Sequence, residues 1–215
     1  MDMKVANELI GQRDFALIID RSGSMRTKDA GASKDQSRWE AVRETSVSVA
    51  SKLAELNPAG VFFQLFSTAP TSYGQVTAEK VAQVFDNTEP GGDTNLHLAL
   101  AIQLDDYLQR KAAGKTKPQG EAIFVVTDGE PNDQQKVAQV IVNTTKRLTN
   151  PDELNITFIQ VGQDERASAF LSRLDDDLEK EGAKYDIVDT ITVDAMGSKN
   201  LTQVIIDAIT EHKQH

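Results

Sequence analysis

Phe15-Ala16-Leu17-Ile18-Ile19, followed without a break by Asp20-Arg21-Ser22-Gly23-Ser24-Met25, is the stretch whose reading decides the fold. Five consecutive apolar residues lack the alternation of a half-wet strand. They read as a strand buried on both faces, the pattern of a central parallel strand. The chain then leaves the core and presents a carboxylate and two hydroxyls on alternate residues of a tight loop, with Gly23 letting the backbone turn between the serines. Oxygen donors on a short loop suit a hard divalent cation.

Working outward, residues 1–13 are polar and read as a short helix or a loosely docked arm. The segment 26–37 is rich in Lys, Asp, Gly, Ala and Ser and reads as an irregular loop beside the Asp20–Ser24 turn. Trp39, Val42, Ser46, Val49, Leu53 and Leu56 then recur at steps of three and four, one face of an amphipathic helix that Asn57-Pro58-Ala59-Gly60 ends. Val61–Phe66 is a second buried strand, Thr71–Val76 a short edge strand, and Ala78–Phe85 a short helix. Asn87 to Gly92 is a loop, after which a helix starts near Thr94 or Asn95 with Leu96, Leu100, Leu104 and Leu108 on one side.

Glu121–Val126 is the next strand, and Val137, Val140, Ile141 and Leu148 mark the helix after it. Ile156–Val161 is a strand, followed by a helix carrying Ala167, Phe170, Leu171, Leu174 and Leu178. A short strand near 186–193, a last helix with Leu201, Val204, Ile205 and Ala208, and a disordered tail at 212–215 complete the chain. This alternation predicts a single α/β domain over 1–215: a doubly wound, mainly parallel central sheet with helices on both faces. Ligands of such three-layer sandwiches bind beyond the carboxyl ends of the strands, where strand order reverses.

Three junctions hold polar residues that a core does not need. The first offers Asp20, Ser22 and Ser24; the second, Gly91-Gly92-Asp93-Thr94-Asn95-Leu96, offers Thr94; the third, Thr127-Asp128-Gly129-Glu130-Pro131, offers Asp128. The first and third should share one edge of the sheet, with the second folding over them. Two carboxylates offset the formal charge of a divalent ion, and the hydroxyls are weak neutral donors, so the ion stays receptive to one more anionic oxygen. About six oxygen ligands at octahedral geometry suit Mg2+, with Mn2+ able to replace it; Ca2+ is possible but usually takes more carboxylate and carbonyl oxygens.

Composition narrows the alternatives. The formal net charge of −10 argues against a nucleic-acid partner and against an anionic membrane surface. The absence of cysteine excludes disulfides, thiolate metal sites and cysteine nucleophiles. The N-terminal residues show no basic region followed by an apolar stretch, and no run approaches the roughly 18 apolar residues that span a bilayer, so a cytoplasmic protein is the expectation.

At these loops the chain resembles the von Willebrand factor type A (VWA) domain family, a Rossmann-like fold. Its metal-ion-dependent adhesion site (MIDAS) combines an Asp-x-Ser-x-Ser loop, a threonine from a second loop and an aspartate from a third. Asp20, Ser22 and Ser24 match the first element, Thr94 the second and Asp128 the third, and the order and spacing of the strands agree as well. The resemblance implies that Ser22, Ser24 and Thr94 touch the ion directly in the ligand-bound state. Asp20 and Asp128 are then direct or water-mediated ligands, and a Glu or Asp from a partner protein fills the remaining position. It implies a non-enzymatic binding module, and intracellular relatives often act in larger assemblies, some with ATPases of the AAA+ type. No GxxxxGK[ST] occurs here, so any such ATPase is a separate protein.

Each residue also has a plainer reading. Asp20, Ser22, Ser24 and Thr94 are all good helix N-caps, and Asp128-Gly129 alone is a turn. His97, one helical turn past Thr94, reads as a partly exposed structural histidine. Glu130 and Asp133 read as surface acids at a helix start, Asp175-Asp176-Asp177 as a solvated helix face, Trp39 as core, and His212 and His215 as part of the tail. Two other functions compete. In some α/β phosphatases an aspartate nucleophile follows the first strand, but a second acid stands two residues later, where this chain has Ser22. The other is a scaffold whose metal is purely structural.

Overall fold

The computed structural model describes residues 11–30, 35–56 and 59–192, the side chain of Leu56 excepted. Strand β1 (Asp14–Asp20) is buried along its whole length, as its unbroken apolar run requires. A single 3-10 turn, Gly23–Arg26, follows it. Within the segment expected to be irregular, β2 (Lys28–Ala30) and β3 (Gln36–Ser37) instead pair as an antiparallel ribbon. Its polar composition hid the pairing, because a two-stranded ribbon lying on the surface needs no apolar face. The ribbon closes at its base where the Arg38 amide donates to the Thr27 carbonyl at 3.0 Å.

Helix α1 (Arg38–Leu56) starts with a capping box. The Glu40 carboxylate accepts from the Ser37 amide at 2.8 Å, and the Ser37 hydroxyl accepts from the Glu40 amide at 3.2 Å. Trp39, Val42, Ser46, Val49 and Leu53 are buried along one face, as their spacing predicts, and the Trp39 ring packs 4.5 Å from that of Phe85. The chain continues through β4 (Val61–Phe66), β5 (Thr71–Val76), α2 (Ala78–Asp86), α3 (Leu96–Ala112) and β6 (Glu121–Thr127). It goes on with α4 (Gln134–Thr145), β7 (Leu154–Gln160), α5 (Glu165–Asp176) and β8 (Val188–Thr192). Leu148 and Leu178 are buried as expected but lie just beyond the ends of α4 and α5.

The sheet runs β5-β4-β1-β6-β7-β8, parallel throughout except for β5, the antiparallel edge. Successive side chains of β1 point to opposite faces and divide the core. Phe15, Leu17 and Ile19 pack with Phe63, Leu65, Phe124 and Val126 against α1 and α2. Ala16 and Ile18 join Ile123, Val125, Ile156 and Phe158 against α3, α4 and α5. The connections leave β1 and β6 toward opposite edges of the sheet, so the crevice between the carboxyl ends of these two strands is the topological switch point.

Two expectations need correction. Residues 11–13 are firmly docked: Arg13 is buried and donates to the Asp152 carbonyl, while Lys117 donates to the Gly11 carbonyl at 2.9 Å. Asp175 is not part of a solvated face. Its carboxylate accepts from the Thr190 amide of β8 at 2.9 Å, and its pKa is pushed up to about 6 by burial and then by the charge of Asp189. The last helix, the tail with His212 and His215, and the arm over residues 1–10 lie outside the described residues.

Candidate functional site

Asp20 is the last residue of β1, and Asp128 directly follows β6, so the switch point itself places both carboxylates side by side. Both side chains are buried, Asp20 completely. Within the first loop Asp20 Oδ1 accepts from the Ser22 amide at 2.7 Å, a local turn that bends the chain back over the strand end. Asp20 Oδ2 accepts from the Thr127 hydroxyl at 2.8 Å. The Ser22 and Ser24 hydroxyls stand 2.9 Å apart, and Ser24 donates to Asp128 Oδ1 at 2.8 Å. Four of the five residues singled out in the sequence therefore meet in one continuous chain of hydrogen bonds, Asp20 joining it through the Ser22 amide.

Thr94 is brought to the same place through its backbone. The second loop is tied to the first by Gly91 N to Arg21 O at 2.7 Å and Gly23 N to Gly92 O at 3.1 Å. It is tied to the third by Asn132 N to Thr94 O at 3.0 Å. The capping residue of α3 is Asn95 rather than Thr94, and its side chain makes no capping bond. Its amide instead donates to the Thr68 carbonyl at 2.9 Å, and its side-chain oxygen accepts from Asn132 at 3.0 Å. The Thr94 hydroxyl is thus not needed to start its helix.

Gly92 makes this loop possible. It has φ of +89°, and a Cβ there would stand 2.6 Å from the Thr68 hydroxyl. Gly92→Ala is expected to cost about 1–3 kcal/mol in thermal melts, because it combines left-handed strain with a steric clash. The same substitution should displace the carbonyl that receives the Gly23 amide.

The electrostatics are unfavourable at Asp20. The Asp20 pKa is pushed up to about 6, first by burial and second by the neighbouring charge of Asp128, against the pull of the Ser22 and Thr127 hydrogen bonds. The residues that sequence reasoning missed are Thr127 and Arg38. Arg38, the first residue of α1, donates from Nη1 to Asp128 Oδ2 at 2.8 Å. Its other edge forms a two-point contact with Asp29 of the ribbon, at 2.8 and 2.6 Å. The position of Arg38 inside the Ser37–Glu40 capping box marks a helix start in the sequence; its reach across to Asp128 leaves no such mark.

His97 is half-buried, as expected, and Asp133 caps α4 by accepting from the Lys136 amide at 3.0 Å. Among the described residues, no group of three or more His, Cys, Asp or Glu side chains could hold a metal ion. An ion at this site would therefore depend on hydroxyl donors. The spacing suits one. With Mg2+–oxygen bonds of about 2.1 Å at right angles, neighbouring ligand oxygens stand about 3 Å apart. Ser22 Oγ, Ser24 Oγ and Asp128 Oδ1 are separated by 2.9 and 2.8 Å.

A doubly wound sandwich with buried carboxylates and hydroxyls at its switch point defines a class of α/β domains built to present a polar site on three loops. Within that class, the chain belongs to the von Willebrand factor type A domain family, whose pattern matches residues 15–130. Domains of this family generally serve in protein–protein interaction. No curated protein matches the sequence.

Solved structures share the fold at low identity. A von Willebrand factor type A protein from Catenulispora acidiphila superposes with a TM-score of 0.57 at 14% identity, covering 92% of this chain and 43% of its own. Proximal thread matrix protein 1 from the mussel byssus gives 0.56 at 16%, covering 92% and 48%. The D319A mutant of the PilB minor pilin from Streptococcus sanguinis gives 0.55 at 16%, covering 94% and 62%. The chain thus spans about half the length of the first two and under two thirds of the third.

Proposed function

We propose that this VWA domain is a non-enzymatic binding module that presents a divalent ion, Mg2+ by preference, to a Glu or Asp side chain of a partner protein. Asp20, Ser22, Ser24, Thr94 and Asp128 hold the ion. The observation that carries this reading is the run of side-chain oxygens from Ser22 through Ser24 to Asp128, spaced at 2.9 and 2.8 Å on the rim of two buried carboxylates. Arg38 offsets the charge of Asp128 but leaves buried Asp20 without a cationic partner, and neutral hydroxyls cannot saturate an ion, so the arrangement favours an ion and then an anion. When bound, the ion supplies a positive centre for a carboxylate. The chain's own residues hold that centre, shape its approach and exclude competing donors.

Among the described residues no helix is long and apolar enough to cross a membrane. A cytoplasmic setting and an acidic segment within a larger assembly, an AAA+ ATPase complex being one candidate, are parts of the same proposal. The test is calorimetric titration of the full chain with Mn2+ and Mg2+. One ion per chain is expected, with Ser24→Ala and Thr94→Ala each weakening it at least about tenfold. Absence of binding at millimolar Mn2+ would refute the reading. Mg2+-dependent cleavage of p-nitrophenyl phosphate, lost in Asp20→Asn, would favour a phosphohydrolase instead.

A further inference from the structure

Arg38 has no place among the ion-holding residues, yet it is tightly boxed at this end of the sheet. Its side chain is only 12% exposed. The capping box fixes the start of its helix, and Asp29 grips one edge of the guanidinium at two points. The opposite edge reaches Asp128 Oδ2. Gly162, with φ of +80°, packs so closely that a Cβ there would stand 2.7 Å from the guanidinium carbon. A planar, permanently charged group held on three sides cannot swing aside when another cation arrives.

We propose that Arg38, anchored by Asp29 of the ribbon, is a positioning residue that draws charge from Asp128, weakening ion capture by the empty site and making the captured ion depend on an external carboxylate. The inference rests on the ion-binding reading above. Asp128 meets the ion site through Oδ1, which Ser24 contacts, while Oδ2 is committed to Arg38. A unit positive charge touching one of two carboxylates opposes a second cation, and it leaves the bound ion with more uncompensated charge for a partner's carboxylate to meet. Asp29 acts in the opposite sense, since it takes up part of the guanidinium's charge from the ribbon side. Its side chain is 35% exposed, so solvent screens its contribution more.

The sign of the two effects separates this role from simple bracing, because an ion-pair strut would lose function when either partner is removed. The experiment is Mn2+ calorimetry on the full chain, with and without excess glutarate as the carboxylate probe, for the wild type, Arg38→Gln, Arg38→Lys and Asp29→Asn. Melting curves in EDTA establish that each variant is folded. Arg38→Gln should bind Mn2+ about tenfold more tightly and gain less from glutarate, Asp29→Asn should bind at least about threefold more weakly, and Arg38→Lys, which keeps the charge but not the two-point grip, should fall between Arg38→Gln and the wild type. Weakening in both Arg38→Gln and Asp29→Asn would overturn the proposal and leave the ion site standing. If Arg38→Gln fails to fold, unchanged or tighter binding in Asp29→Asn overturns it alone. No Mn2+ binding by the wild type would remove both the proposal and the reading beneath it.

Discussion

Asp20→Asn is expected to stabilise the metal-free protein by about 3 kcal/mol near neutral pH while abolishing its response to Mg2+ and Mn2+. The gain follows from the carboxylate's displacement from its ordinary 3.8 to about 6, roughly two pH units at about 1.4 kcal/mol each. The folded state binds this proton more tightly than the unfolded state does. The unfavourable contribution is therefore complete above the folded pKa of about 6 and gone below 3.8, so on its account stability rises as pH falls through that window. Asparagine keeps an oxygen for the Ser22 amide. Its NH2 faces the Thr127 hydroxyl, which can turn to donate to the Gly129 carbonyl, 3.5 Å away. Urea melts in EDTA, wild type against variant from pH 4 to pH 8, should therefore diverge on going from acid to neutral. Parallel curves would show that the aspartate is not held against its will. In excess Mn2+ only the wild type should gain stability, in proportion to ion occupancy.

The second large effect lies at the opposite end of the sheet and involves no metal. Arg110 of α3 bridges Asp14 at 3.1 Å, Asp106 at 2.6 Å and the completely buried Glu121, and its guanidinium stacks 4.2 Å from the centre of the Phe62 ring. Gln103 donates to the other oxygen of Glu121 at 2.6 Å. Arg110→Met should cost about 3–5 kcal/mol, because it strands a buried carboxylate. Glu121→Gln should be neutral or stabilising near neutral pH, since it removes a buried charge while Gln103 can turn its amide to accept from the new NH2 and Arg110 keeps its acceptor. Burial pushes the Glu121 pKa up to about 7 against the pull of Arg110. Its unfavourable contribution is complete above about pH 7 and gone below the ordinary 4.5, so the Arg110→Met loss should shrink in acid as the stranded group takes up a proton. Denaturant melts of both variants at two pH values test this. Equal losses from the two substitutions would contradict the asymmetry.

Much of this architecture was readable before any coordinates. Unbroken apolar runs such as Phe15–Ile19 admit few alternatives once they alternate with helical periods, and that alternation makes the sheet parallel. Asp20, Ser22, Ser24 and Asp128 could be gathered because each lies at or just beyond the end of a buried strand, and strand ends converge by topology. Arg38 and Thr127 escaped for different reasons. Thr127 read as the loop residue ahead of Asp128 and nothing more. Arg38 lies 90 residues from Asp128, and an arginine at a helix start carries no mark of where its long side chain will end. The ribbon escaped because its pairing leaves no apolar period, and Asp175 because a run of three acids looks the same whether or not one of them receives a strand amide.

The hydrogen bond from Arg38 N to Thr27 O has one more consequence. The two strands of the ribbon depart from and return to a single pinch point, so apart from Asp29, which holds Arg38, and Ser37, which caps the first helix, their residues can vary without transmitting a shift to the sheet. The ribbon is in effect a replaceable cassette at the doorway of the switch-point crevice. Surface residues of the ribbon other than Asp29 and Ser37 can be exchanged, by selection or by grafting, while the platform beneath stays as it is.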